Sequence, residues 1–231
     1  MPATIHRPRP PVLSLIGNTP LVPLHFAAEN RTLYAKAEFL NPSGSIKDRL
    51  ALCVIEDAEQ RGLLQADSVI LECTSGNTGI SLAMVGAAKG YKVKILMSDS
   101  ASVERRYLIE QFGGEVQLFK ATQGYGTGIQ LSLEMAAKDA RYFLPRQFEN
   151  QINAQDHEEH TGREILSQMH GLVDAFVAGY GTGGTLTGCG RAIRAANPAA
   201  KIYAMEPAEA AMLSGEMPCC QIGRASCRER G

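Results

Sequence analysis

Lys47 stands in the stretch Asn-Pro-Ser-Gly-Ser-Ile-Lys-Asp-Arg (residues 41–49), just past a turn-forming Pro-Ser-Gly and at the head of a helical pattern. A cation in the first turn of a helix opposes the helix dipole. Such a lysine is either a solvated surface charge or an amine held for covalent chemistry. Desolvation lowers its pKa and leaves a nucleophile for a carbonyl carbon. Two further stretches are rich in glycine and hydroxyl residues: Thr-Ser-Gly-Asn-Thr-Gly at 74–79 and Gly-Thr-Gly-Gly-Thr at 181–185. Glycines let a backbone approach a ligand closely, and the N–H groups opening a helix attract anions. The first stretch carries no charge and suits a carboxylate or a phosphate equally. The second makes a good phosphate cradle. Each also reads as an ordinary strand-to-helix turn.

These stretches need a frame that brings them together. Apolar residues at Ile46, Leu50, Val54 and Ala58 follow a helical spacing that stops at Gly62. Residues 68–73 read as a buried strand, followed by a helix over 80–90, a strand over 92–97, a helix over 102–114, a strand over 115–119 and a helix over 127–140. After a polar stretch (146–160) comes a helix over 162–169, with Thr161 and Glu164 as a candidate capping box. A strand over 173–179, a helix over 186–197 and a strand over 201–206 follow. Repeated strand–helix units with short glycine-rich joints predict an α/β fold, parallel-type sheet covered by helices on both faces. In such sheets ligands sit where strand C-termini meet helix N-termini, and both glycine-rich joints lie there. Gly-Tyr-Gly-Thr-Gly occurs twice, from Gly124 and from Gly179; the first copy reads as a turn at a helix start.

The chain has 231 residues, a net charge of −1 and 45% hydrophobic residues, enough for one large or two modest packed domains. No basic stripe marks a nucleic-acid partner, and no apolar run is long enough to cross a membrane. The basic start lacks an apolar stretch behind it, so a cytoplasmic protein is expected. Cys53, Cys73 and Cys189 lie among apolar residues as buried free thiols do, and no C-x-x-C pair suggests zinc or a disulfide framework.

Gly179, Gly181 and Gly184 also satisfy G-x-G-x-x-G, with Glu206 ending the next strand where a ribose-binding acid would lie. That reading, an NAD-binding oxidoreductase, leaves Lys47 and residues 74–79 without a role. Thr185 and Thr187 add hydroxyls suited instead to a phosphate monoester. His157-Glu-Glu-His160 is H-x-x-H with no third ligand cluster, so no metal is expected. Pyridoxal phosphate (PLP) requires a lysine, a phosphate cradle and neighbours for its ring oxygen and nitrogen. Lys47 and the two loops supply candidates. A non-catalytic binder keeping the same fold is a further reading.

Six motifs occur in order: Ile-Gly-Asn-Thr-Pro-Leu (16–21), residues 41–49, residues 74–79, Glu-Arg-Arg (104–106), Gln-Phe-Glu-Asn (147–150) and Gly-Thr-Gly-Gly-Thr-Leu-Thr-Gly (181–188). With them the chain resembles the cysteine synthase (O-acetylserine sulfhydrylase) and cystathionine β-synthase family, PLP enzymes of the tryptophan-synthase-β type. The resemblance implies that fold (fold type II). It implies a smaller domain at 41–150 carrying Lys47 and a larger one built from 13–40 with 151–218. It also implies that Lys47 carries PLP covalently and acts as the catalytic base. Asn77 bonds the cofactor's ring oxygen, and Gly181, Thr182, Gly183, Gly184 and Thr185 hold its phosphate. Thr74, Ser75, Gly76, Thr78 and Gln147 hold the substrate carboxylate. The implied reaction is β-replacement, L-cysteine from O-acetyl-L-serine and sulfide. Cystathionine β-synthase chemistry, with serine and homocysteine, is the alternative, and O-phosphoserine is a possible donor. A homodimer and a serine acetyltransferase partner are implied as well. The family often has a histidine at the position of His157 without a metal. Met97-Ser98 departs from a usual Met-Pro, which implies a slightly different loop.

Residues 219–231 are expected to be a non-native tail. Ile-Gly-Arg-Ala-Ser-Cys-Arg-Glu-Arg, 222–230, has no periodicity and reads like the in-frame translation of a sequencing adapter. On that expectation the larger domain is incomplete, without the family's serine at the pyridine nitrogen, and a strand edge with apolar surface is exposed near 173–179. The 231-residue chain would then bind PLP poorly, be inactive and tend to aggregate.

Overall fold

The computed structural model describes residues 10–208 and residue 213; the expected tail at 219–231, with Cys219, Cys220 and Cys227, lies outside the described residues. Along the chain run β1 (Leu21–Phe26), β2 (Arg31–Lys36), α1 (Lys47–Gln60), β3 (Val69–Cys73), α2 (Asn77–Lys89), β4 (Lys92–Ser98), α3 (Val103–Gln111), β5 (Glu115–Phe119), α4 (Tyr125–Lys138) and β6 (Tyr142–Phe143). Then come α5 (Ile152–Asp156), a π-helical turn (His157–Thr161), α6 (Gly162–Gln168), β7 (Ala175–Gly179), α7 (Gly184–Ala196) and β8 (Lys201–Met205).

β5, β4, β3 and β6 form a parallel sheet in that order. Side chains alternate across it. Ile70 and Ile95 enter a core shared with Ile55, Leu82 and Val85 of α1 and α2. Leu71 and Leu96 point the other way, onto Phe119 and the α4 residues Ile129 and Met135. Both faces are covered, which is why the central strand β3 and the second half of β4 read as apolar runs. β7 and β8 form a second parallel pair, covered on one face only among the described residues. Phe176 and Ile202 pack on Ile165, Cys189 and Ile193, whereas Val177, Tyr203 and Met205 are 61%, 49% and 61% exposed.

Three features depart from the sequence pattern. β1 and β2 form an antiparallel hairpin, Leu21 opposite Lys36; its strands are mostly exposed and carry no buried period to read. The polar stretch 146–160 contains α5 and the π-helical turn, which continue into α6 without a break in helical backbone. The Thr161–Glu164 capping box is therefore absent, because no helix begins there. Thr161 Oγ1 meets His157 Nδ1 at 2.9 Å, and Glu164 pairs with Lys36 and Arg49. What holds the polar rod is close backbone approach to α7. A Cβ at Gly188 would lie 2.1 Å from the Ala154 carbonyl and 2.7 Å from the Glu158 nitrogen.

Candidate active site

α1 opens on Lys47, and the turn before it is tied down. The Asp48 carboxylate is fully buried and accepts from the Ser43 N–H at 2.7 Å and from the Ser43 hydroxyl. Ser43 Oγ also lies 3.1 Å from Ser81 Oγ of α2. Two residues past Lys47, the buried Arg49 grips both Glu38 and Glu164 at 2.7–2.8 Å, and Lys36 joins Glu164 at 2.7 Å. Burial alone would raise the Glu164 pKa, but Arg49 and Lys36 hold it down at about 2. The start of α1 is thereby locked to β2 and α6.

The Lys47 side chain reaches away from this lock. Its Nζ points at Thr182 Oγ1, 3.5 Å away, at the limit of a hydrogen bond. Burial brings its pKa down to about 8, so about a tenth of the amine is neutral at pH 7, far more than for an exposed lysine.

Residues 180–183 join β7 to α7, and Gly183 adopts the left-handed region (φ 82°) as the residue before the helix. Asn153, 3% exposed on α5, donates from Nδ2 to Thr182 Oγ1 at 2.8 Å and to the Gln147 carbonyl at 3.1 Å. With Asn153 and Lys47 both aimed at its oxygen, Thr182 keeps its own O–H to give outward. Thr185 Oγ1 meets His157 Nε2 at 3.1 Å. Burial, then the charges of Lys47 and Arg49, push His157 down to about 3 and keep it neutral. A Cβ at Gly184 would sit 2.1 Å from Asn153 Oδ1, a buried oxygen with no hydrogen-bond partner. The cradle is closed to any larger residue. Helix N–H groups, hydroxyl donors and a half-buried amine form a donor set suited to a phosphorylated carbonyl compound.

Residues 74–76 join β3 to α2. Thr74 and Thr78 are each 4% exposed. Thr74 Oγ1 accepts from the Gly76 N–H at 3.3 Å, and Thr78 Oγ1 donates to Gln147 Oε1 at 2.7 Å. Ser75 and Asn77 are half-buried. Thus Gln147 meets the first loop through its side chain and, through Asn153, the second loop through its carbonyl. Lys47, Thr182, Asn153, Gln147 and Thr78 form one chain of contacts. Asn153, His157 and Glu72 were not singled out as site residues by sequence reading. The His-x-x-His spacing drew notice only as a metal pattern. His160 pairs instead with Asp156 at 2.9 Å, and no cluster of three or more His, Cys, Asp or Glu exists among the described residues. Cys73 and Cys189 are buried free thiols, while Cys53 is only half-buried. No described helix is long and apolar enough to cross a membrane.

A family model described as pyridoxal-phosphate dependent enzyme matches residues 12–226, so the match runs into the stretch that sequence reading set apart as a tail. O-ureido-L-serine synthase of Streptomyces lavendulae is 48% identical over 205 residues, 88% of this chain and 63% of that protein. A cysteine synthase of Flavobacterium sp. (strain K3-15) is 44% identical over 207 residues, 89% of this chain and 67% of its own length. The crystal structure of a hydrogen sulfide-producing enzyme of Fusobacterium nucleatum superposes with a TM-score of 0.87 at 42% identity, covering 92% of this chain and 72% of that one. The chain thus spans about two thirds of the curated relatives it matches.

Proposed function

This chain belongs to the pyridoxal-phosphate dependent enzymes, and from that premise we propose that it serves β-replacement on a serine derivative, making L-cysteine and acetate from O-acetyl-L-serine and sulfide. The observation that carries the reading is the lysine amine with lowered pKa standing 3.5 Å from the glycine-rich loop at 182. Lys47 would hold the cofactor covalently, residues 181–185 its phosphate and Asn77 its ring oxygen. When bound, PLP supplies an electron sink that makes the Cα proton removable and the β-substituent able to leave.

The remaining work falls to the chain's own residues. Lys47, once released, takes the Cα proton on its neutral amine and returns it at the end. The N–H groups opening α2, with Ser75 and the Thr78–Gln147 pair, orient the substrate carboxylate. Thr182 and Thr185, held by Asn153 and neutral His157, fix the phosphate and through it the ring.

The 48% identity to O-ureido-L-serine synthase favours a second reading, the same site with another acceptor; hydroxyurea balances formation of O-ureido-L-serine. Homodimerisation, a serine acetyltransferase partner, a cytoplasmic location and the division into a domain at 41–150 and one at 13–40 with 151–218 belong to the same proposal. Because the 231-residue chain is itself expected to be inactive, the test is product analysis on a version extended to the length of these relatives, with O-acetyl-L-serine and either sulfide, hydroxyurea or homocysteine. Cysteine with release of acetate is expected. Turnover with hydroxyurea alone would establish the second reading, and turnover with none would overturn both.

A further inference from the structure

β6 is only two residues long. It pairs with β3 at Val69–Tyr142 and Ile70–Phe143, and then Pro145, which has no N–H, ends the ladder. Arg146 turns into the left-handed region (φ 53°), and the backbone N–H of the next residue faces inward. Its acceptor is not a strand carbonyl but a side chain. Glu72 Oε2 takes the Gln147 N–H at 3.2 Å, and Oε1 takes the Cys73 N–H at 3.0 Å. The Arg146 N–H also favours the charged form of this carboxylate. Glu72 is 7% exposed in the strand that ends at the first loop, and nothing in the reaction above uses it.

We propose that Glu72 is a positioning residue for amino-acid binding: as a carboxylate it holds the 146–147 backbone so that the Gln147 side chain closes on Thr78. The proposal rests on the reading of Thr78 and Gln147 as part of the carboxylate site. The Gln147 peptide is gripped at both ends, by Glu72 at the nitrogen and by Asn153 at the oxygen. Loss of one grip frees the side chain to swing. Protonation removes that grip, because the acid O–H becomes a donor facing N–H donors. Burial pushes Glu72 up to about 7, against backbone hydrogen bonds and the Arg146 charge that lower it. The other titratable groups facing it are Tyr125 of α4 and Cys73 of β3, both kept neutral by burial. Below about 7 the grip opens, so amino-acid affinity falls with pH. With only the ionised form competent, apparent Kd scales inversely with its fraction, about a tenfold rise from pH 8 to pH 6.

The experiment measures two quantities on the wild-type protein, Glu72→Gln and Thr78→Val at both pH values. One is Kd for O-acetyl-L-serine in the PLP-loaded protein, read from the cofactor absorbance. The other is amide-exchange protection of the 144–150 peptide, corrected for intrinsic rate, without ligand. In the wild type, protection at 146–147 should drop about tenfold from pH 8 to pH 6 while Kd rises. Glu72→Gln, whose amide sets a donor against an N–H, should show low protection and weak binding at both pH values, with the extra pH arm gone. Constant wild-type protection, or the same pH arm in Glu72→Gln, overturns the proposal whatever the fold of the variant. Thr78→Val should weaken binding with protection intact. Unchanged affinity in Thr78→Val overturns the carboxylate-site reading, and with it the binding role of Glu72.

Discussion

The two glycine-rich loops look alike in sequence and are built oppositely. Residues 74–76 leave β3, a strand covered on both faces; residues 180–183 leave β7, one face of which is uncovered among the described residues. In the first loop the threonine side chains turn inward as scaffolding, Thr74 to the Gly76 N–H and Thr78 to Gln147. Ser75 and Asn77 beside them are half-buried. In the second loop Thr182 receives donors from Asn153 and Lys47 and has its own proton to offer outward. The support differs in charge as well. An acidic side chain, Glu72, backs the first loop, whereas neutral His157 and Asn153 with the amine of Lys47 back the second. On the proposed reading a dianionic phosphate goes with the second set, and a singly charged carboxylate with the first.

The largest effect expected from breaking this arrangement is at Lys47, the group aimed at the second loop. Lys47→Ala should abolish covalent PLP labelling trapped by borohydride and all β-replacement, with thermal stability nearly unchanged, because the amine is a desolvated group without a salt bridge. Label at another lysine, mapped by peptide mass, would sink the assignment.

Gly184→Ala comes next. Its Cβ would meet Asn153 Oδ1 at 2.1 Å and Asn153 Nδ2 at 2.8 Å, and Asn153 is pinned to both Thr182 and the Gln147 carbonyl. Overpacking of a fixed neighbour costs about 1–3 kcal/mol. Loss of PLP affinity beyond tenfold in a fluorescence titration is expected, together with weaker amino-acid binding, since both loops hang on the same amide. Unaltered PLP affinity would show that Asn153 moves freely and the loops are uncoupled.

A third effect is set by pH. With the Lys47 amine at about 8, its neutral, reactive fraction grows about tenfold between pH 7 and pH 9 and then levels. Borohydride-trapped labelling at Lys47 should follow that curve. Exposed lysines, with unperturbed values of about 10.4, should still be climbing at pH 9. A labelling curve for Lys47 that matches those of exposed lysines would mean that the amine is solvated.

The frame of this arrangement is largely legible in the sequence. The apolar runs that become β3, β4 and β5, the helical period of Leu50, Val54 and Ala58, and the left-handed glycines Gly62 and Gly90 are local signals. The placement of Lys47 at the start of α1, and of both loops at strand–helix joints, follows from them. What is not legible is whatever depends on a distant partner. Residues 152–161 read as polar loop because glycines on α7, not apolar residues of their own, hold them in place. The β1–β2 hairpin is too exposed to carry a period. Glu72 reads as a stray acid in an apolar strand. Its proposed role arises because Pro145, far along the chain, ends the ladder for want of an N–H and leaves the Gln147 N–H to a side-chain acceptor. Asn153 is one polar residue among many until α5 sets it between the loops.

The smallest effect is expected at Gly76, the counterpart of Gly184 in the first loop. A Cβ there would lie 2.8 Å from Arg105 Cδ and 2.9 Å from its Nε, as near as many damaging contacts. The neighbour is the outer half of a long side chain on α3 rather than a side chain packed between two loops, and a small shift of its end relieves the contact. The Gly76 φ of 179° lies outside the left-handed region. Gly76→Ala also restricts the unfolded chain, which favours the fold by about 0.4–1 kcal/mol. The net change in stability should therefore stay within about 1 kcal/mol, with PLP affinity untouched and at most a few-fold rise in Kd for O-acetyl-L-serine. A loss as large as that of Gly184→Ala would mean that Arg105 is itself fixed across the first loop. The contrast between a rigidly backed phosphate loop and a more yielding carboxylate loop would then fail.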